Sequence, residues 1–114
     1  MGEIFSPTVL RDKVSIVTGS GRGLGKVMAL TLAGAGSDII LTARTVEEIE
    51  RTATEITDRG RKALAIKMDI TSSDDILKMV EKALSEFGKI DILVNNAGQN
   101  ASYANHPFED IPED

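Results

Sequence analysis

The sequence contains no cysteine and no tryptophan, and it has one tyrosine and one histidine. Without cysteine, neither a disulfide nor a thiolate metal site is available. Aromatic residues are 4% of the chain, so Ile, Leu, Val, Ala and Met must build the core. No apolar run approaches the ~20 residues of a membrane span, and residues 1–12 lack the apolar segment of a signal peptide. A basic excess is also missing. Thirteen Lys and Arg against 18 Asp and Glu give a net charge of −5, which argues against general nucleic-acid binding. No Ser-His-Asp constellation or metal-ligand spacing occurs. These absences point to a cytoplasmic protein with no membrane or nucleic-acid partner.

What is present is a balance of 41% hydrophobic and 27% charged residues over 114 positions, enough for one domain or less. Residues 13–18 are short, apolar and β-branched and run into glycine, as a buried strand does. Residues 24–35 are rich in Leu, Ala, Met and Val, with Gly34 and Gly36 at the end, which predicts a helix with a glycine stop. Residues 38–43 make a second strand. Residues 45–59 form a helix with Ile49, Ala53 and Ile56 on one face and charges on the other. A third strand covers 63–68. The clearest helix is 73–87, where Ile76, Met79, Val80, Ala83, Leu84 and Phe87 form one stripe and Gly88 follows. A fourth strand covers 90–94. Beyond Asn95 the sequence turns polar, with Pro107 and Pro112, and a further helix is expected to start near Glu109.

The order β-α-β-α-β-α-β predicts a parallel sheet with helices on its faces. Right-handed crossovers give a Rossmann-like, doubly wound α/β arrangement, of which this is the N-terminal half with spatial strand order 3-2-1-4. Val94 then ends an edge strand with a bare ladder. Such an edge is an aggregation hazard and points to strands outside the sequence in view.

The first strand and first helix are joined by Thr18-Gly19-Ser20-Gly21-Arg22-Gly23-Leu24-Gly25. Backbone N–H groups and the positive end of a helix dipole there suit a phosphate. Glycine leaves room for close approach or a positive φ. The spacing is T-G-x-x-x-G-x-G rather than the general G-x-G-x-x-G.

With this loop the sequence resembles the short-chain dehydrogenases/reductases. Thr18-Gly19-x-x-x-Gly23-x-Gly25 is similar to that family's cofactor motif. Met68-Asp69-Ile70 is similar to its adenine-contacting motif, and Asn95-Asn96-Ala97-Gly98 to its second glycine motif. All three fall at carboxyl ends of predicted strands, where open α/β sheets bind ligands. The resemblance covers residues from about 11 to 114. It implies a dinucleotide held by Gly19, Ser20, Gly21, Arg22, Gly23 and Leu24 in the loop, by Asp69 and Ile70 at the adenine, and by Asn96, Ala97 and Gly98 at the nicotinamide-side ribose. For Asn96, holding the sheet together is an equal alternative. Asp69 also reads as a turn residue.

The choice of cofactor turns on the end of the second strand. NAD users of the family carry Asp where this sequence has Ala43, and Arg44 follows, 19 residues after Gly25. An acid there bonds a ribose 2′-hydroxyl, whereas a guanidinium binds a 2′-phosphate with a planar fork. Arg44, with Arg22, therefore indicates NADP(H). Glu47 and Glu48 lie nearby. Thr45-x-x-Glu48 fits a capping box, which we prefer to a ribose contact. Asp74 and Asp75 beside Ser72 and Ser73 read as N-capping and dipole compensation.

The resemblance implies hydride transfer between NADP(H) and a carbonyl or alcohol, on a 3-oxoacyl reductase-like or sugar/polyol dehydrogenase-like substrate, in a homo-oligomer. It also implies a catalytic Ser and Tyr-x-x-x-Lys. Here Tyr103 is followed four residues later by Pro107, and His106 reads as a loop residue. The catalytic residues are therefore expected beyond Asp114. Residues 1–114 are expected to be the cofactor part of a single truncated domain, inactive alone. The alternative is a non-catalytic NADP(H)-binding module.

Overall fold

The computed structural model of the chain describes residues 8–96. Four strands and three helices alternate: β1 (Val14–Thr18), α1 (Gly23–Gly34), β2 (Asp38–Ala43), α2 (Val46–Asp58), β3 (Ala63–Lys67), α3 (Ser73–Phe87) and β4 (Ile92–Val94). The strands form one sheet in the order β3-β2-β1-β4. Every pairing is parallel, with Val17 opposite both Leu41 and Val94. The expected fold and strand order are therefore observed. The expected helix near Glu109, together with Ala97, Gly98, Tyr103 and His106, lies outside the described residues.

Strand alternation sorts the core into two layers, because successive side chains face opposite sides of the sheet. Val17, Ile39 and Leu41 pack with Ala29 and Ala33 of α1 and with Ile49 and Ile56 of α2. Val14, Ile16 and Ile40 pack on the other side with Met68 and with Met79 and Ala83 of α3. Ile16, Ile39, Ile40, Leu41, Ile49 and Ile56 are fully buried. Each such side chain is worth about 1.5–3 kcal/mol relative to exposure. Aliphatic residues thus carry the core that the scarcity of aromatics required.

The helices are fixed by different means. In α3, the Ser72 hydroxyl accepts the Asp75 N–H at 3.2 Å, and left-handed Gly88 closes the far end with its N–H on Leu84 O at 2.8 Å. In α1, the buried positions are Gly25, Ala29 and Ala33, a stripe of small residues four apart. Small side chains let the helix axis approach the sheet closely, which sets its first turn directly over the end of β1.

β4 begins two residues later than the sequence pattern indicates, at Ile92. The reason is Asp91, whose carboxylate Oδ2 accepts the Val14 N–H at 2.9 Å in place of a strand carbonyl. Asp91 N–H meanwhile donates to Val14 O at 2.9 Å. Lys89 pairs with the same carboxylate at 3.2 Å and donates to the Asp12 carbonyl. A side chain therefore finishes the ladder at the amino ends of β1 and β4. The Val14 hydrogen bond, with Lys89 and Lys13 adding attraction, holds the Asp91 carboxyl below its ordinary range.

A depressed carboxylate stabilises the fold at pH above its unfolded value of about 4 and loses that contribution as the pH falls through the folded value. Asp91→Asn should flatten this part of the acid limb, measured as urea midpoint against pH between about 5 and 2. An acid limb unchanged in the variant would contradict the assignment. A second prediction concerns Thr42, whose Oγ1 is buried without a hydrogen-bond partner among the described residues. A buried, unpaired polar group costs about 1–3 kcal/mol. Thr42→Val should raise the urea midpoint by the equivalent of about 1 kcal/mol. A lower midpoint would mean that the hydroxyl has a partner in solution.

Candidate functional site

The carboxyl ends of β1, β2, β3 and β4 lie side by side, and most of the residues singled out in the sequence meet there. Thr18 ends β1. Its hydroxyl accepts the Asn96 N–H at 2.9 Å and lies 3.3 Å from Asn95 Oδ1. The Asn96 side-chain amide donates to the Gly19 carbonyl at 3.2 Å. These bonds tie the end of β4 to the start of the glycine loop. Both roles considered for Asn96 bear on one place, and its amide here is engaged with the backbone of the loop.

The loop leads into α1. Gly25, in its first turn, is buried, and a Cβ at this position would collide with the Gly19 carbonyl oxygen and stand 2.6 Å from Asn96 Nδ2. Glycine is required because two backbone segments and one amide converge there without space for a methyl group. Gly21 faces a different obstacle, since a Cβ on it would stand 2.6 Å from Glu48 Cβ and 3.1 Å from Glu48 Oε1. The start of α2 is therefore packed against the loop. Gly19 and Gly23 adopt left-handed backbone conformations, with φ of 62° and 59°.

Ser20 lies beneath the loop. It is fully buried, its N–H donates to Thr42 O at 3.1 Å, and its Oγ accepts the Thr42 N–H at 3.2 Å. Its polar groups bind the loop to β2. Arg22 and Leu24 are on the outer side, and Leu24 is exposed.

Arg22 is the N-cap residue of α1 in extended conformation. No side chain caps this helix, and no acid lies in its first turn. The other two helices have acids there, Glu47 and Glu48 in α2 and Asp74 and Asp75 in α3. Helix N-termini carry unsatisfied N–H groups and partial positive charge. In α1 neither a side-chain cap nor an acid offsets them. The uncapped, acid-free helix start with Arg22 at its N-cap position fits a dinucleotide pyrophosphate.

The next pair of residues stands at the ends of β2 and β3. Met68 N–H donates to Ala43 O at 2.9 Å, which brings Arg44 beside Asp69. Their charged groups are 3.6 Å apart, with the Arg44 side chain 72% exposed. Asp69 Oδ1 accepts the Thr71 N–H at 2.9 Å and the Thr71 hydroxyl at 2.7 Å. Those two bonds, with a further contribution from Arg44, lower the Asp69 carboxyl from its ordinary range. Asp69 is thus a turn residue that also holds a negative charge at the carboxyl end of β3. An exposed pair of this kind is worth little in stability, so Arg44 is free to exchange it for a phosphate.

One expectation is not met. Thr45 makes no side-chain cap on α2, so the anticipated capping box is not formed. The Glu48 carboxylate lies on Gly21 instead. Two contributions went unread in the sequence. Thr18 was visible as a motif residue, but its hydroxyl bonds reach across 78 positions to Asn96. Glu48 was visible only as a helix-start acid, because its contact with Gly21 is tertiary.

Comparison with known proteins agrees with this geometry. The short chain dehydrogenase family model matches residues 13–114. A peroxisomal 2,4-dienoyl-CoA reductase of Danio rerio is 40% identical over 98 residues, which is 85% of this chain and 33% of the relative. A hydroxysteroid dehydrogenase from Escherichia coli has a similar structure, with a TM-score of 0.76 and 39% identity over 78% of this chain and 38% of that one. A metagenomic short-chain oxidoreductase solved in complex with NADP has a TM-score of 0.76 and 37% identity, over 80% of this chain and 41% of that one. The chain spans about a third to two fifths of the length of such relatives. With the matched family model, the parallel sheet in order 3-2-1-4 and the glycine cradle at its carboxyl edge, the chain belongs to the short chain dehydrogenase family.

Proposed function

We propose that residues 1–114 form the cofactor-binding part of a single oxidoreductase domain that uses NADP(H). The observation that carries this reading is the start of α1, uncapped and free of acids, preceded by a loop whose glycines let it pack closely on Asn96 and Glu48. The pyrophosphate would lie on the N–H groups of the loop from Gly19 to Leu24, with Ser20 fixing the loop from below and Gly21 and Gly23 keeping it low. Asp69 and the Ile70 backbone would meet the adenine. Asn96, with Ala97 and Gly98 outside the described residues, would border the nicotinamide-side ribose.

The preference for the phosphorylated cofactor rests on Arg44 and Arg22. Ala43 leaves the end of β2 without the acid that would bond a 2′-hydroxyl, and the exposed Arg44 guanidinium supplies charge for a 2′-phosphate. The NADP complex of a structurally similar oxidoreductase supports this choice. When bound, NADP(H) supplies or accepts the hydride. The chain's own residues orient the cofactor and hold its phosphates. Proton transfer at the substrate oxygen falls, on this reading, to residues beyond Asp114.

The proposed substrate is a small carbonyl or alcohol compound, with a 3-oxoacyl thioester or a sugar/polyol as the leading classes. The similarity to a 2,4-dienoyl-CoA reductase supports a thioester, and the similarity to a hydroxysteroid dehydrogenase supports a ketone or secondary alcohol more generally. The whole protein is proposed to work as a cytoplasmic homo-oligomer. Among the described residues no helix is long and apolar enough to cross a membrane.

Arg44→Asp in the full-length protein tests the reading. Charge-assisted hydrogen bonds are worth about 1.5–3 kcal/mol, so NADPH affinity should fall roughly tenfold or more while NADH binding holds or improves. Fluorescence titration with both cofactors measures this. An unchanged ratio of the two affinities would remove Arg44 from the site.

A further inference from the structure

The Glu48 side chain stands against Gly21 of the glycine loop. Its Cβ and Oε1 occupy the space that a side chain at Gly21 would need, at 2.6 and 3.1 Å from an ideal Cβ. The residue is half-buried, whereas its neighbour Glu47 is exposed. The carboxylate has no ion-pair or hydrogen-bond partner among the described residues. The ion pairs of Arg44 with Asp69 at 3.6 Å and of Lys26 with Glu55 at 3.4 Å do not include it. Thr45 does not use it in a cap. A carboxylate that is in no ion pair among the described residues therefore stands against Gly21 of the loop, four residues after Arg44.

We propose that Glu48 is a specificity-determining residue, whose carboxylate on the glycine loop sets the ratio of NADPH to NADH binding by opposing the 2′-phosphate. This rests on the NADP(H) reading above. Between Arg44 and the loop, a 2′-phosphate is attracted by the guanidinium and repelled by Glu48. A 2′-hydroxyl feels no such repulsion and can donate to a carboxylate. Glu48 thus moderates the preference that Arg22 and Arg44 create and keeps the site open to the unphosphorylated cofactor. Two charges several ångströms apart near a protein surface interact by an amount equivalent to roughly a three- to tenfold change in affinity. Part of that is screened by salt.

The test is titration of the full-length protein with NADPH and with NADH in wild type, Glu48→Gln and Glu47→Gln. Both variants remove one negative charge from the first turn of α2, so any effect on the helix dipole is common to both. The expected result is a rise of roughly three- to tenfold in the NADPH-to-NADH affinity ratio for Glu48→Gln, smaller at high salt, with the ratio unchanged for Glu47→Gln. No change for Glu48→Gln, or an equal change in both variants, overturns the proposal. A wild type that binds NADH more tightly than NADPH would instead refute the NADP(H) preference, and the Glu48 comparison would still be read from the shift in ratio.

Discussion

The close approach of Gly25 to the Gly19 carbonyl and the Asn96 amide is the constraint on which this end of the molecule depends. Three chain segments meet there: the loop leaving β1, the first turn of α1 and the end of β4. No methyl group fits among them. Because they meet, the N-terminus of α1 stands over the carboxyl edge of the sheet instead of beside it. The stripe of Gly25, Ala29 and Ala33 continues the same close packing along the helix. Two buried aliphatic layers hold the sheet from either side, and their burial offsets the conformational entropy of keeping an irregular glycine loop in one shape.

Charge is arranged along the sheet in keeping with that geometry. At the amino edge, Lys89, Asp91 and the Val14 N–H satisfy one another. At the carboxyl edge, α2 and α3 begin with acids that offset their dipoles, and α1 does not. The potential left over is positive beside the loop and Arg22, and it is tempered by Glu48 and Asp69. On the proposed function, ligand binding at this edge follows from local backbone and dipole, with side chains adjusting which phosphate pattern is preferred.

Much of this was legible in the sequence, for physical reasons that differ by element. The boundaries of α3 follow from a strong apolar period, the Ser72 cap and the glycine stop, all local features. β2 was equally clear, as a run of β-branched and aliphatic residues from Asp38 to Ala43. The start of β4 lies two residues beyond the one its apolar pattern predicts, because Asp91 spends its side chain on a strand 77 positions away. The capping box that the pattern predicts at Thr45 is not formed for a similar reason. The local pattern was right, but Glu48 finds the glycine loop instead. The glycine motif announced that space was needed without saying against what. For Gly21 the answer is a side chain of α2, and for Gly25 it is backbone and Asn96.

The most direct test of a dinucleotide on the α1 N-terminus is an NMR titration of the 15N-labelled full-length protein with NADPH. The account predicts that the largest amide shifts fall on residues 19–24, with Arg44, Ile70 and Asn96 following. The amides of Asp12, Lys89 and Asp91, at the other edge of the sheet, should stay in place. Shifts concentrated at that amino edge, or a glycine loop that does not respond at saturating NADPH, would contradict it.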